Sequence, residues 1–282
     1  MSVINTNVKS IVAQNAMTVN NRSMSKAMEQ LSTGKRINSA ADDAAGLAIS
    51  SKMTSQIKGL NQAVRNANDG ISLLQTAEGA TQEITNMLQR MRELAVQAAN
   101  GTNDVSDRSA LNLEVTSLKN EIDRISNNTE WNGMKIFTNS ATAIGGTTGS
   151  AKLQVGVDGT STDQISVSFE KLTTAASGLN ITSVSLSTAT SAQSALSTLD
   201  TAIAAVNTDR ARFGATINRL TFAADNLANI STNAQESRSR ILDTDYAQTT
   251  TELARTQIIQ QAATAMLAQA NQAPQSVLSL LR

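Results

Sequence analysis

The feature that most constrains this chain is a spacing. Ile49, Met53, Gln56, Leu60, Ala63, Ala67, Gly70, Leu74, Ala77, Thr81, Ile84, Leu88, Met91, Ala95 and Ala98 follow one another in alternating steps of four and three, and only Gln56, Gly70 and Thr81 in the series are not apolar. Such steps return to one side of a helix, so the spacing predicts a single uninterrupted helix whose narrow apolar seam lies lengthwise on other helices. At about 1.5 Å per residue this helix is roughly 75 Å long. A fold wrapped around a compact core cannot house it, whereas a bundle of long helices can.

The partners carry the same spacing. Leu196, Leu199, Ile203, Val206, Arg210, Phe213, Ile217, Leu220, Ala224, Leu227, Ser231 and Ala234 form a second long seam, and Leu111, Val115, Leu118, Ile122 and Ile125 a shorter one. "NGTNDVSD" at 100–107 separates the first long helix from the short one with turn-forming residues. Between the short helix and the second long one, Leu153, Val155 and Val157 alternate, "DGTSTDQ" interrupts, and Ile165, Val167 and Phe169 alternate again, which predicts a small hairpin. The fold class expected is therefore mainly α, a long antiparallel helical bundle over residues 44–239 with a short β-hairpin region at about 140–190. Leu60, Leu74, Leu88, Leu118, Ile122, Ile203, Phe213, Leu220 and Leu227 are its expected seam.

Composition limits the function. Of 282 residues, 23 are Lys or Arg and 23 are Asp or Glu, so net charge gives no general attraction to nucleic acid or to an anionic membrane, and neither is expected as a partner. There is no cysteine and no histidine, which removes disulfides, thiolate and imidazole metal ligands and the Ser-His-Asp and Cys-His arrangements. No catalytic residue, cofactor or metal is expected, and the chain is not expected to be an enzyme. No stretch approaches the roughly 18 apolar residues of a membrane span, and "MSVINTNVKSIVAQNA" lacks the apolar run of a cleaved secretory signal.

Both ends carry stripes of their own: Ile259, Ala263, Met266, Ala270, Ala273, Val277 and Leu280 near one terminus, Ile4, Val8, Ile11, Met17, Met24, Met28 and Leu31 near the other. In an antiparallel bundle the segments 1–43 and 240–282 emerge together and can pair as a coiled coil. Each then covers only one side of the other, and isolated helices of this length are marginal in water. Ends that are disordered alone and fold when copies join are the expectation, and identical copies packing without closing a ring make a helical filament.

Several short motifs have ordinary explanations. Asp42 and Asp43 precede the first long helix, where acids cap and complement the helix dipole. "STGKR" at 32–36 lacks the earlier glycine and the following hydroxyl of a phosphate loop; Lys35 and Arg36 either face acids of a neighbouring copy or form a solvated turn. "DTDY" at 243–246 lacks the glycine and final acid of a calcium loop. Arg210, at a seam position, is either an ion-pair member or a place where the seam opens to a partner.

"VINTNVKSIVAQNA" at 3–16, "LSTGKRINSAADDAAGLAIS" at 31–50, "LQRMRELAVQAANGTN" at 88–103, "SRSRILDTDYA" at 237–247 and "MLAQANQAPQSVLSLLR" at 266–282 resemble bacterial flagellin. The resemblance spans both ends and both long helices and leaves out about 140–190. It implies that the paired terminal segments form the inner core of a tubular, self-polymerising filament used for swimming, with the bundle and hairpin as the next layer. The middle is too short for a large outer domain. Export in an unfolded state by a flagellar type III apparatus is implied as well, which would explain the missing signal. Implied partners are further copies, the hook-associated junction and filament cap proteins, an export chaperone on the C-terminal segment, and Toll-like receptor 5 of a host. For that receptor the matching positions are Gln89, Arg90, Leu94, Glu114 and Ile217. A junction protein would share the terminal helices, a chemoreceptor would need a membrane span, and an enzyme would need a catalytic insertion.

Overall fold

A computed structural model describes residues 6–138 and 143–280, with only the backbone described at 148 and 273–280. Among the described residues five α-helices carry the chain: α1 Val8–Thr33, α2 Ala44–Ala99, α3 Val105–Asn128, α4 Ala189–Leu242 and α5 Tyr246–Leu280. Between α3 and α4 lie β1 Glu130–Trp131, β2 Met134–Lys135, β3 Ser150–Gln154 and β4 Gln164–Ser168, in two antiparallel pairs. No helix among the described residues is long and apolar enough to cross a membrane.

Helix ends follow local chemistry. The Asp43 carboxylate accepts a hydrogen bond from the Gly46 N–H at 2.9 Å and so caps α2, and the Asp245 carboxylate does the same for α5 through Ala247 and Gln248. Asp104 and Asp107 form a reciprocal capping box at the start of α3. Helix α1 stops at Gly34, whose φ of 70° is the left-handed conformation that ends helices, and whose N–H reaches Gln30 O. The Asn132–Gly133 turn joining β1 to β2 has positive φ at both residues, as a two-residue hairpin of matching twist requires.

The molecule divides into two compact units. One comprises residues 1–57 and 232–282, the other 58–231, so the division falls inside α2 and α4, whereas the sequence places it at 43/44 and 239/240. The reason is visible in the first seam. It is buried from Leu60 onward, but Ile49 and Gln56 at its start are exposed, and Ile57 is buried in place of Gln56.

In the second unit Leu74, Leu88, Ile122, Phe213 and Leu220 are fully buried in one cluster, with Leu118, Ile203 and Ile217 packed half-buried against it. Leu60 and Leu227 close a smaller cluster with Ala63. Each large apolar side chain so buried stabilises the unit by about 1.5–3 kcal/mol. The β3–β4 pair sets Leu153 opposite Ile165 and Ala151 opposite Val167. It lies against α2 at Gly70, where a Cβ would come within 2.5 Å of Leu153, and the connection after β3 lies against Gly59, where a Cβ would come within 2.7 Å of Val157.

The irregular segment 170–188 returns along α3, which grips its backbone. Lys119 Nζ donates to Thr182 O and Val184 O at 3.1 and 2.6 Å. Asn112 accepts the Leu186 N–H at 2.9 Å, and Asp123 takes both the N–H and the hydroxyl of Thr174. Leu172, Ile181 and Leu186 are buried beneath this strap.

Candidate functional site

In the first unit α1 and α5 lie against each other. The side of α1 turned to α5 is Ala13, Met17, Asn20, Met24, Ala27 and Leu31, again in steps of four and three, with Asn20 and Ala27 buried. On α5 the answering row is Thr249, Leu253, Thr256, Gln260, Ala263, Leu267 and Ala270. Asn20 Nδ2 donates to Thr256 O at 2.8 Å and to Gln260 Oε1 at 3.3 Å, and Asn7 Nδ2 donates to Ala270 O at 2.8 Å. A buried amide bonded to a fixed backbone carbonyl sets the register of a helix pair, since any slip leaves polar groups unpaired.

The polar contacts also set which apolar residues are left outside. Val8, Ile11, Val12, Val19 and Met28 of α1 and Ile258, Ile259 and Met266 of α5 are exposed, Val8 at 54% and Met266 at 65%. Three of them come together: Val8, Val12 and Met266, with Lys9, Ala13, Gln269 and Ala270, line one depression of about 520 Å³. Of the stripe read at the C-terminal end, Ala263 and Ala270 face α1, whereas Ile259 and Met266 lie on the open side. Ile4 and the side chains of Ala273, Val277 and Leu280 lie outside the described residues. Of the N-terminal stripe, Met17, Met24 and Leu31 face α5, and Val8, Ile11 and Met28 do not.

The connection between α1 and α2 is tied down locally. Lys26 pairs with Asp42 at 2.8 Å. The Lys26 ammonium, followed by the Ser39 and Asn38 N–H groups, holds the Asp42 carboxyl at a pKa of about 2. The Arg36 guanidinium donates to Ile241 O at 2.7 Å, so this cation is engaged within its own chain. In the second unit Arg210 points toward Glu78 of α2 at 3.9 Å, the ion-pair alternative for this seam position. No group of three or more His, Cys, Asp or Glu able to hold a metal ion is found among the described residues.

Also in the second unit, Gln89, Arg90 and Glu114 lie on the outer faces of α2 and α3. Arg90 donates from Nε to Glu114 at 2.9 Å and from Nη1 to Glu93 at 3.1 Å. These bonds, the one to Glu114 foremost, push its pKa up, although it is always charged in any case. Ile217 is half-buried against the core. Leu94 corrects the reading of these positions as one contact surface: it is 1% exposed, because it turns into the α2 core beside Ala95, and it offers no side chain to a partner.

Asn20, Thr256 and Gln260 escape a search for apolar periodicity because they are polar. Their one signal is that Asn20 falls seven residues before Ala27, in phase with it. Nothing in residue type marks Asn112, Lys119 or Asp123.

Residues 4–142 match the bacterial flagellin N-terminal helical region, and residues 196–281 the bacterial flagellin C-terminal helical region. Flagellin of Halalkalibacterium halodurans is 46% identical over 280 residues, covering 99% of this chain and 100% of that protein. This chain belongs to the flagellin family. The flagellar filament 33 kDa core protein of Treponema phagedenis is 42% identical to it over 99% of this chain and 100% of its own. The crystal structure of Bacillus cereus flagellin superposes with a TM-score of 0.49 at 34% identity, over 58% of this chain and 88% of that one. Flagellins are structural proteins, so the absence of catalytic machinery expected from the sequence agrees with the family.

Proposed function

We propose that this flagellin is the self-polymerising subunit of an extracellular, helical flagellar filament that serves swimming. The observation that carries the reading is the open side of the α1–α5 pair. Val8, Val12 and Met266 stand there in solvent around one depression, on two helices whose mutual contact buries only Asn20, Ala27, Thr249 and Thr256. Contiguous apolar surface on a water-soluble chain marks a place meant for a partner, and identical copies meeting through it extend a polymer. On this reading residues 1–43 and 240–282 form the inner layer and become ordered on assembly, while 44–239 form the layer outside it. Val8, Ile11, Ile259 and Met266 pack between copies, together with Ile4, Ala273, Val277 and Leu280. Export through a type III apparatus with a chaperone on the C-terminal segment, and contacts to junction and cap proteins at the filament ends, belong to the same reading.

Val12→Asp combined with Met266→Asp tests it, since both positions are exposed in the monomer and a carboxylate there costs the isolated fold little. Sedimentation and electron microscopy should show loss of polymer with the circular dichroism of the monomer unchanged. Filaments of normal length from this variant would overturn the assignment.

A second reading rests on Arg90. A guanidinium held in place by two carboxylates yet open to solvent is a ready anchor for a partner, and we infer that monomeric chain is recognised by Toll-like receptor 5 through Gln89, Arg90 and Glu114, with Ile217 at the margin. Receptor signalling by monomer should drop for Arg90→Ala. Equal potency of variant and wild type would refute it.

A further inference from the structure

Asp209 is a carboxylate in an apolar place. It lies on α4 one turn before Phe213 and is 5% exposed. Above it the chain leaves β4 through Phe169, whose ring meets that of Phe213 at a centroid distance of 5.6 Å, and then through Glu170. One cation serves both acids: Arg212 Nη1 stands 3.3 Å from Asp209 Oδ1 and 3.5 Å from Glu170 Oε1. Arg212 and Glu170 are the charged groups that act on Asp209. The adjacent Arg210 is directed instead at Glu78 of α2.

A single, largely exposed guanidinium cannot satisfy a buried carboxylate and an exposed one equally. Of two acids sharing one cation, the desolvated member gives up its charge first. We propose that Asp209, Arg212 and Glu170 form an acid-responsive latch that fastens the segment leaving β4 to α4 and grips more tightly when Asp209 takes up a proton. Protonation removes the repulsion between the two carboxylates and leaves Arg212 to Glu170 alone, while the Phe169–Phe213 contact supplies the apolar half of the fastening.

The titration has a definite sign. Burial foremost, then Glu170, raises the Asp209 pKa from its ordinary 3.8 to about 6, against the opposing pull of Arg212. A group with a raised folded-state pKa binds its proton more tightly when folded. The extra grip is therefore fully present below 3.8 and is lost as pH rises through about 6.

The test uses the full-length monomer. The carboxyl carbon of Asp209, followed by nuclear magnetic resonance, should titrate with a midpoint near 6. Amide exchange at Phe169, Glu170 and Lys171, corrected for its intrinsic pH dependence, should be about tenfold slower at pH 5 than at pH 7.5. Asp209→Asn should give the slow exchange at both pH values, and Glu170→Gln should lower the Asp209 midpoint. A midpoint near 4, equal protection at the two pH values in the wild type, or an undiminished pH dependence in Asp209→Asn would each overturn the latch. Should the Asn variant fail to fold, the wild-type carboxyl titration and the wild-type exchange at the two pH values decide together.

Discussion

The α1–α5 pair and the α2–α3–α4 bundle follow the same four-three spacing and fill it with different residues. The bundle joins large side chains in one buried cluster, Leu74, Ile84, Leu88, Met91, Ile122, Phe213 and Leu220 among them, with Ala67, Ala77 and Ala95 filling the gaps. The pair's seam mixes half-buried Met17, Met24, Leu31, Leu253 and Leu267 with small and polar residues, only Asn20, Ala27, Thr249 and Thr256 of the two rows are buried, and Val8, Val12, Ile259 and Met266 stay outside the contact. Apolar burial is what holds helices together in water. The bundle is thus sufficient in itself, and the pair is held in register more firmly than it is held together. A seam rich in small and polar residues suits helices whose further neighbours arrive later.

The contrast can be broken at its strong side first. Phe213→Ala removes a fully buried ring from the bundle and the partner of Phe169, and should cost about 3–5 kcal/mol in urea unfolding of the monomer. A loss below 1 kcal/mol would mean that the bundle core is looser than its burial indicates. At the weak side, Asn20→Ala removes the donor to Thr256 O and should lower the stability of the pair in assembled polymer, where on the proposed reading it is ordered, by about 1–2 kcal/mol. The effect should appear as faster amide exchange in α1 and α5 with the bundle amides unchanged, and a spread of the effect into the bundle would mean that the two regions do not behave separately.

The smallest effect is expected at the α1–α2 connection. The Asp42 pKa lies below its ordinary value, so its contribution is present above about 3.8 and is lost as pH falls through about 2. Acidification from pH 5 to pH 2 should lower the protection of the Asn38 and Ser39 amides once their exchange is corrected for its intrinsic pH dependence, and Asp42→Asn should show the lowered protection already at pH 5. Unchanged protection across that range would remove the Lys26–Asp42 tie from the account of this turn.

The same contrast explains what the sequence made legible. The bundle was readable because its contacts are apolar and periodic: the run from Leu60 to Ala98 and the whole seam from Leu196 to Ala234 are buried or half-buried at each position named. The hairpin was readable because Ile165 and Val167 alternate with polar neighbours, although β3 runs from Ser150 to Gln154, so it starts before Leu153 and ends before Val155 and Val157. The β1–β2 strands showed only their Asn-Gly turn, since two residues on each side are too few for a pattern. In the α1–α5 pair, hydrophobicity pointed to Ile259 and Met266, whereas Asn20 and its acceptors rotate α5 so that Thr256 and Gln260 face inward. A polar residue at a seam position carries no periodic signal, and a search for apolar spacing passes over it. The Asp209 latch was hidden for another reason, because Glu170 and Arg212 are brought together by the fold across 42 positions.

The strap over α3 has a consequence for how such a chain can change over generations. Lys119 and Asn112 hold main-chain atoms of Thr182, Val184 and Leu186, and every amino acid but proline offers the same N–H and C=O. The letter at an exposed strap position such as Ser183 is thereby released from selection for fit, whereas the number of residues is not. Removing one residue between Thr174 and Leu186 would bring the wrong carbonyl to the Lys119 amine and pull Ile181 or Val184 off its seat. This stretch is built to tolerate drift in spelling and to resist any change of length.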